Sequence, residues 1–206
     1  MLNAIDDETT LVIFSHVCFV TGERVSDEAI QRIVEKAHQN GALVAIDGYH
    51  AIGSQMIDVQ KLNVDLYFAG LLKEGCGSSG NCFLYIRKDL ELTPSLSGWF
   101  GDKDPFTFAL KPQSHQLIRR RFLLGTPNIA SLYHGFEGVK ILLNLGLEEV
   151  AEDVLNKQEA VLEIFNAAGI KTISPQERSK MSALMILEVA EANNLREYLA
   201  EKYGIL

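Results

Sequence analysis

Cysteine is scarce in this chain. Cys18, Cys76 and Cys82 are odd in number and form no CxxC pair, which argues against a disulfide framework and against a structural zinc site. They read as reduced thiols. Long apolar runs are missing as well, since no stretch approaches the roughly 20 residues that a membrane-spanning helix needs. The opening MLNAIDDETT has neither the basic start nor the apolar core of a signal peptide, so the expectation is a cytoplasmic protein without membrane contact. Basic charge is in deficit: 19 Lys and Arg against 27 Asp and Glu give a formal charge of -8, which disfavours nucleic-acid binding. The one basic run, Arg119 to Arg121, reads as a solvated or subunit-facing edge. No HExxH, GxSxG or GK[ST] occurs, and His16, His38, His50, His115 and His134 show no metal-ligand spacing. Zinc-protease, serine-hydrolase and P-loop chemistry therefore have no support.

What is present has the texture of an ordinary folded domain, 47% hydrophobic and 22% charged over 206 residues. Leu11 to Val17 is apolar and rich in β-branched residues, as a strand would be. Ser26 to Asn40 then carries Ala29, Ile30, Ile33, Val34 and Ala37 at helical spacing, with Ser26 placed as a cap and Gly41 as a stop. Leu43 to Ile46 reads as a strand buried on both faces, which completes a βαβ unit. After a bend at Gly53 and a short amphipathic stretch to Leu62, further strands are expected at Leu66 to Ala69 and Cys82 to Ile86. Apolar positions recur at helical spacing from Ile129 to Ala168, with Gly146 as a break between two helices. Beyond Gly169, short strands near Lys171 to Ile173 and Ala183 to Val189 precede a last helix. The pattern predicts an α/β fold with a mainly parallel sheet and flanking helices, followed by the start of a small α+β domain. The expected divisions are 1–145, a linking helix at 146–168, and 169–206.

Several residues could carry chemistry. Asp47 directly follows a buried strand, at the sheet edge where open α/β folds collect ligands, although Asp is also a common turn former. His50 lies three residues on. Lys73 follows the third strand among apolar residues and glycines, where a desolvated amine becomes nucleophilic; an exposed loop lysine fits the same eight residues. Gly75 to Gly80 matches GxGxxG, but a strand-like run follows in place of the helix that a dinucleotide fingerprint requires. Trp99, the only tryptophan, sits in Gly98-Trp99-Phe100-Gly101, which suits an indole packed on a ligand or a partner and equally one covering a turn. Thr126 lies in Gly125-Thr126-Pro127-Asn128 ahead of a helix start, a place that can bind phosphate or simply be capped by Asn128.

In order, the chain reads Leu-Val-Ile-Phe-Ser-His-Val from Leu11, Asp47-Gly-Tyr-His50, Lys73, Gly-Trp-Phe-Gly from Gly98, and Arg-Phe-Leu-Leu-Gly-Thr-Pro from Arg121. Together these motifs resemble the class V aminotransferase group of pyridoxal-phosphate enzymes, of fold type I, and the Ser15 and Gly-Trp-Phe-Gly segments are similar to those of kynureninases. The resemblance implies that pyridoxal 5'-phosphate is the cofactor and that Lys73 is the catalytic lysine forming its Schiff base. It implies that Asp47 pairs with the pyridine nitrogen, that His50 lies beside the ring oxygen or phosphate, and that Ser15 lines the pocket. Trp99 and Thr126 would contact phosphate across the interface of a homodimer. The implied substrate is an amino acid or amine.

Leu72 stands where kynureninases have a tyrosine, so it supplies no hydroxyl there. Members of the group are longer, and their upstream part supplies a phosphate-binding helix start and a ring-stacking aromatic residue. The resulting expectation is a fragment or split-gene product whose missing N-terminal part comes from a separate chain. The alternatives are a truncated, catalytically incomplete folding or interaction domain, and a kynureninase-type hydrolase.

Overall fold

In this computed structural model the described residues are 1–111, 113 and 117–205. His115, one of the histidines considered for metal-ligand spacing, lies outside them. The centre is a four-stranded sheet in the order β1 (Leu11–Ser15), β2 (Leu43–Asp47), β3 (Leu66–Gly70), β4 (Cys82–Ile86). The first three strands are parallel, and β4 returns antiparallel to β3. The expected α/β sheet is therefore mixed but mostly parallel.

Between β1 and β2 runs α1 (Asp27–Gln39), whose first turn is capped because Ala29 N–H donates to Ser26 Oγ at 3.2 Å. Its apolar stripe, Ile30, Ile33, Val34 and Ala37, is buried against one face of the sheet. The short helix α2 (Val59–Leu62) adds Leu62 to the same layer, which meets Val12, Val44, Ile46 and Tyr67. Asp65 is wholly buried below this layer. Its carboxylate accepts Val44 N–H at 2.6 Å and pairs with Arg87 at 2.8 Å and His38 at 2.9 Å, so the charge is compensated where it is desolvated.

The opposite face is different. Leu11 and Ile13 of β1 are 48% and 60% exposed, and Leu84 of β4 is exposed on the same side. Parallel sheets normally bury both faces. Here that face is exposed along β1 and at Leu84 of β4, and it ends at Ser15 and Asp47.

After β4 come α3 (Ile118–Arg121), α4 (Ile129–Leu145) and α5 (Leu147–Ala167), with Gly146 breaking the last two at φ 89° as the spacing predicts. The two strands expected beyond Gly169 do not form. Their segments meet at one antiparallel bridge, Thr172 with Leu187. A two-stranded ribbon without a third partner is marginal, and two serines divert its backbone. Ser174 Oγ accepts Ile186 N–H at 2.8 Å, and Ser182 Oγ accepts Leu184 N–H at 3.2 Å. This segment fastens to the loop after β1, where Ser182 Oγ donates to Gly22 C=O at 2.7 Å and Arg24 N–H donates to Lys180 C=O at 2.9 Å. The final helix, α6 (Ala192–Tyr203), follows as expected. No helix among the described residues is long and apolar enough to cross a membrane.

Candidate active site

Because β1, β2 and β3 run parallel, their carboxyl ends deliver three chain segments to one edge. Ser15 and Asp47 are direct neighbours in register, and Asp47 faces Phe68 on the next strand. Ser15 Oγ donates to Asp47 Oδ2 at 3.5 Å, a weak contact. Asp47 Oδ1 accepts Tyr49 N–H at 2.9 Å, so the carboxylate caps its own turn. Asp47 thus makes a turn at the carboxyl edge of the sheet.

His50 and Lys73 meet there too, with Nε2 and Nζ 3.2 Å apart. Burial holds the His50 pKa below its usual value, and the Lys73 charge lowers it further, against smaller opposing effects of Glu74 and Asp47. The imidazole is therefore neutral at pH 7, and its Nε2 accepts from the Lys73 ammonium. That assignment puts the ring proton on Nδ1, which is buried and has no hydrogen-bond partner among the described residues. Two aromatic rings flank the amine, Phe19 and Tyr49, each with its centroid 5.4 Å from Nζ. Phe19 also stacks on His50 at 5.1 Å.

The loop bearing Lys73 is held at both sides. Gly53 has φ 81°, and a side chain on it would overlap the Glu74 carbonyl, so the segment that begins at Asp47 ends against the lysine loop. On the far side, α4 presents Gly138 to the backbone of Gly75 and Cys76, and Asn81 Nδ2 donates to Ser131 C=O at 2.6 Å. The GxGxxG stretch is thus a packing surface for α4, and β4 follows it. Gly53→Ala should lower stability by about 2 kcal/mol, from a side chain forced into left-handed backbone and a displaced carbonyl. Urea denaturation measures this, and an unchanged midpoint would oppose the reading.

Trp99 and Thr126 lie elsewhere. Trp99 packs with Phe100, Phe106 and Phe108, and its Gly98 neighbour lies against Leu124, so the segments of Trp99 and Thr126 touch each other. Thr126 is exposed. Among the described residues no hydrogen bond or ring contact ties either side chain to Lys73. Asn128 caps α4 through Ser131 N–H at 3.2 Å, the ordinary capping role. Phe19 and Tyr49 lie within the motifs that carry the family resemblance but were given no role from the sequence, because an aromatic residue reads as core until its neighbours are known. No group of His, Cys, Asp and Glu able to hold a metal occurs among the described residues.

Residues 1–206 match the family described as Aminotransferase class-V. The chain belongs to that family. It is 35% identical over 152 residues to an uncharacterized aminotransferase, YcbU, of Bacillus subtilis (strain 168), covering 73% of this chain and 39% of that one. It is 27% identical over 183 residues to a cysteine desulfurase of Enterobacter sp. (strain 638), covering 87% and 43%. Against these curated class-V relatives the chain spans about two fifths of their length. In fold it is similar to the apo cysteine desulfurase of Thermococcus onnurineus NA1, with a TM-score of 0.80, 21% identity, and coverage of 98% and 53%. It is also similar to the cystine C-S lyase C-DES in complex with its product cysteine persulfide, with a TM-score of 0.82, 22% identity, and coverage of 97% and 54%. The fold is that of the pyridoxal-phosphate-dependent transferases, and pyridoxal phosphate is the cofactor of the class-V family.

Proposed function

We propose that this protein holds pyridoxal 5'-phosphate through Lys73 as a Schiff base and acts, as a pyridoxal-phosphate-dependent enzyme, on an amino acid or amine. The observation that carries this reading is the convergence of Lys73, His50 and Asp47 at one sheet edge, with Nζ and Nε2 3.2 Å apart. The residues present fit the cofactor. The amine is accessible, the Asp47 carboxylate accepts one backbone N–H and one weak hydroxyl contact, and the buried Nδ1 of His50 is a donor without an acceptor. When bound, the cofactor supplies an electron sink for the pair released when a bond at the substrate α-carbon breaks.

The chain's own groups do the rest. The Asp47 carboxylate favours a proton on a ring nitrogen beside it, because an adjacent negative charge stabilises the charged form. Ser15 Oγ, bonded to Asp47, steadies that carboxylate. His50 would hold an oxygen of the ligand through Nδ1–H, and its Nε2 orients the Lys73 amine. Lys73 Nζ, once free, takes and returns the proton at the α-carbon. A second reading of the reaction, removal of sulfur from a cysteine-type substrate, is supported by the relatives named as cysteine desulfurases.

The open sheet face ending at Ser15 and Asp47 supports a further part of the proposal: a complementary α/β segment, of the length by which the relatives exceed this chain, seats on Leu11 and Ile13. Trp99 and Thr126 would serve the phosphate across a homodimer interface. The divisions at 1–145, 146–168 and 169–206 and a cytoplasmic location belong to the same reading.

Incubating the purified chain with pyridoxal phosphate, reducing with borohydride and mapping peptides by mass spectrometry is the direct test. Stoichiometric label on Lys73 is expected. Folded protein that carries no label there overturns the proposal.

A further inference from the structure

The loop after β1 is closed on itself. Cys18 N–H donates to Glu23 C=O at 2.9 Å, Gly22 N–H donates to Cys18 C=O at 2.7 Å, and Val17 bridges antiparallel to Arg24, so residues 18–23 form a small hairpin. Phe19 sits on it. Its ring stacks on His50 with centroids 5.1 Å apart and lies 5.4 Å from Lys73 Nζ, yet the residue is 63% exposed. A ring enclosed by a core is located by its neighbours, whereas one this open is located by the backbone that carries it.

That backbone is held by a residue 160 positions further along the chain. Ser182 is 1% exposed; its hydroxyl donates to Gly22 C=O at 2.7 Å and accepts Leu184 N–H at 3.2 Å. Gly22 is shaped for the same contact. Its φ is 69°, and a side chain on it would come within 2.7 Å of the Leu184 carbonyl oxygen and 2.8 Å of Ser174 Oγ.

Fastening the segment beyond Gly169 would be the plainest role for Ser182. Its bond, however, ends on Gly22, whose own N–H closes the hairpin under Phe19, so a release at Gly22 passes to the ring. We propose that Ser182 is a positioning residue for the candidate active site: through Gly22 it holds the 18–23 hairpin so that Phe19 lies over His50 and beside Lys73. This rests on the proposed function for what the site does, and it brings the segment beyond Gly169 into the geometry of that site. Burial is the largest cause holding the His50 pKa down, ahead of the Lys73 charge and against Glu74 and Asp47, and Phe19 covers one face of that imidazole.

The test reads the His50 ring protons by NMR in the whole chain without ligand, the resonance being identified by its loss in His50→Gln. Thermal midpoints are recorded alongside. In the wild type the stacked Phe19 ring should shift those protons upfield. Phe19→Ala should remove that shift and raise the His50 pKa, because less of the imidazole is then covered. Ser182→Ala should move both readouts the same way. Gly22→Ala, which forces the contact apart from the loop side, should do so too, and it decides the matter if the Ser182 variant does not fold. Combined with Phe19→Ala, Ser182→Ala should add nothing further, since both act along one path. Leu62→Ala, a core cavity at the other end of β3, should lower the thermal midpoint and leave His50 unmoved. Wild-type His50 signals in a folded Ser182→Ala or Gly22→Ala chain would overturn the inference and reduce the serine to a fastening. An equal movement of His50 in Leu62→Ala would overturn it too, because lost stability alone would then suffice, and additive effects in the double variant would exclude the route through Phe19. No ligand enters this measurement, so a Lys73 that takes no borohydride label sinks the proposed function without touching the result.

Discussion

Lys73→Ala is expected to abolish covalent retention of pyridoxal phosphate: after borohydride treatment the variant should carry no label, where the parent chain carries one per molecule. The same substitution should raise the His50 pKa. The ammonium of Lys73 is the second cause that holds it down, after burial, and removing that charge leaves only the burial contribution opposed by Glu74 and Asp47. The pKa should move up, toward its ordinary value. A histidine-detected NMR titration reads both chains. A His50 that titrates identically in the variant would mean that the two side chains do not share a pocket in solution, and the proposed role of Lys73 would lose its geometric basis.

The second large effect is on stability. His16 is fully buried, with Nδ1 3.0 Å from the Tyr67 hydroxyl and Nε2 buried without a partner among the described residues. Burial, helped by the Arg24 charge, pushes its pKa down to about 4, with the Asp27 charge and the Val25 backbone, as an acceptor for the imidazole, opposing it by less. In the unfolded chain the imidazole titrates near 6.5. Above that pH both states carry a neutral ring, and the full stability is present. As pH falls from 6.5 toward 4, the unfolded chain takes up the proton first, and stability drops by about 3 kcal/mol for this residue alone. Urea denaturation from pH 7.5 to 4 measures the slope. Carboxylates contribute to it at the acid end, so the decisive comparison is with His16→Asn, whose slope should be shallower between pH 6.5 and 5. Parallel slopes would show that His16 is not held neutral.

These effects differ in how far they can be read from the residues themselves. The helix from Asp27 to Gln39 is legible because Ser26, the apolar stripe and Gly41 all agree locally. The break at Gly146 is legible for the same reason. The direction of β4 is not, since the run from Cys82 to Ile86 is apolar and short and carries no mark of antiparallel pairing. The segments around Thr172 and Leu187 alternate like strands, yet Ser174 and Ser182 take the backbone bonds that a ladder would need. Asp47 and Lys73 were each ambiguous locally and gained meaning from their order along the chain. Tyr49 and Phe19 stand in those same motifs without an assigned role, because what places them at the site is a distance to Nζ that only the fold shows.

Loops of irregular backbone are where proteins ordinarily accept extra residues. The one from Leu71 to Asn81 is built otherwise, since the Gly53 turn abuts it at Glu74, α4 abuts it at Cys76, and Asn81 is tied to Ser131. Between Glu74 and Cys76 an added residue meets the Gly53 turn on one side and α4 on the other. It would be taken up as a shift of the Lys73 amine relative to His50, so that the spacing of these two groups depends on the length of this loop more than on its composition.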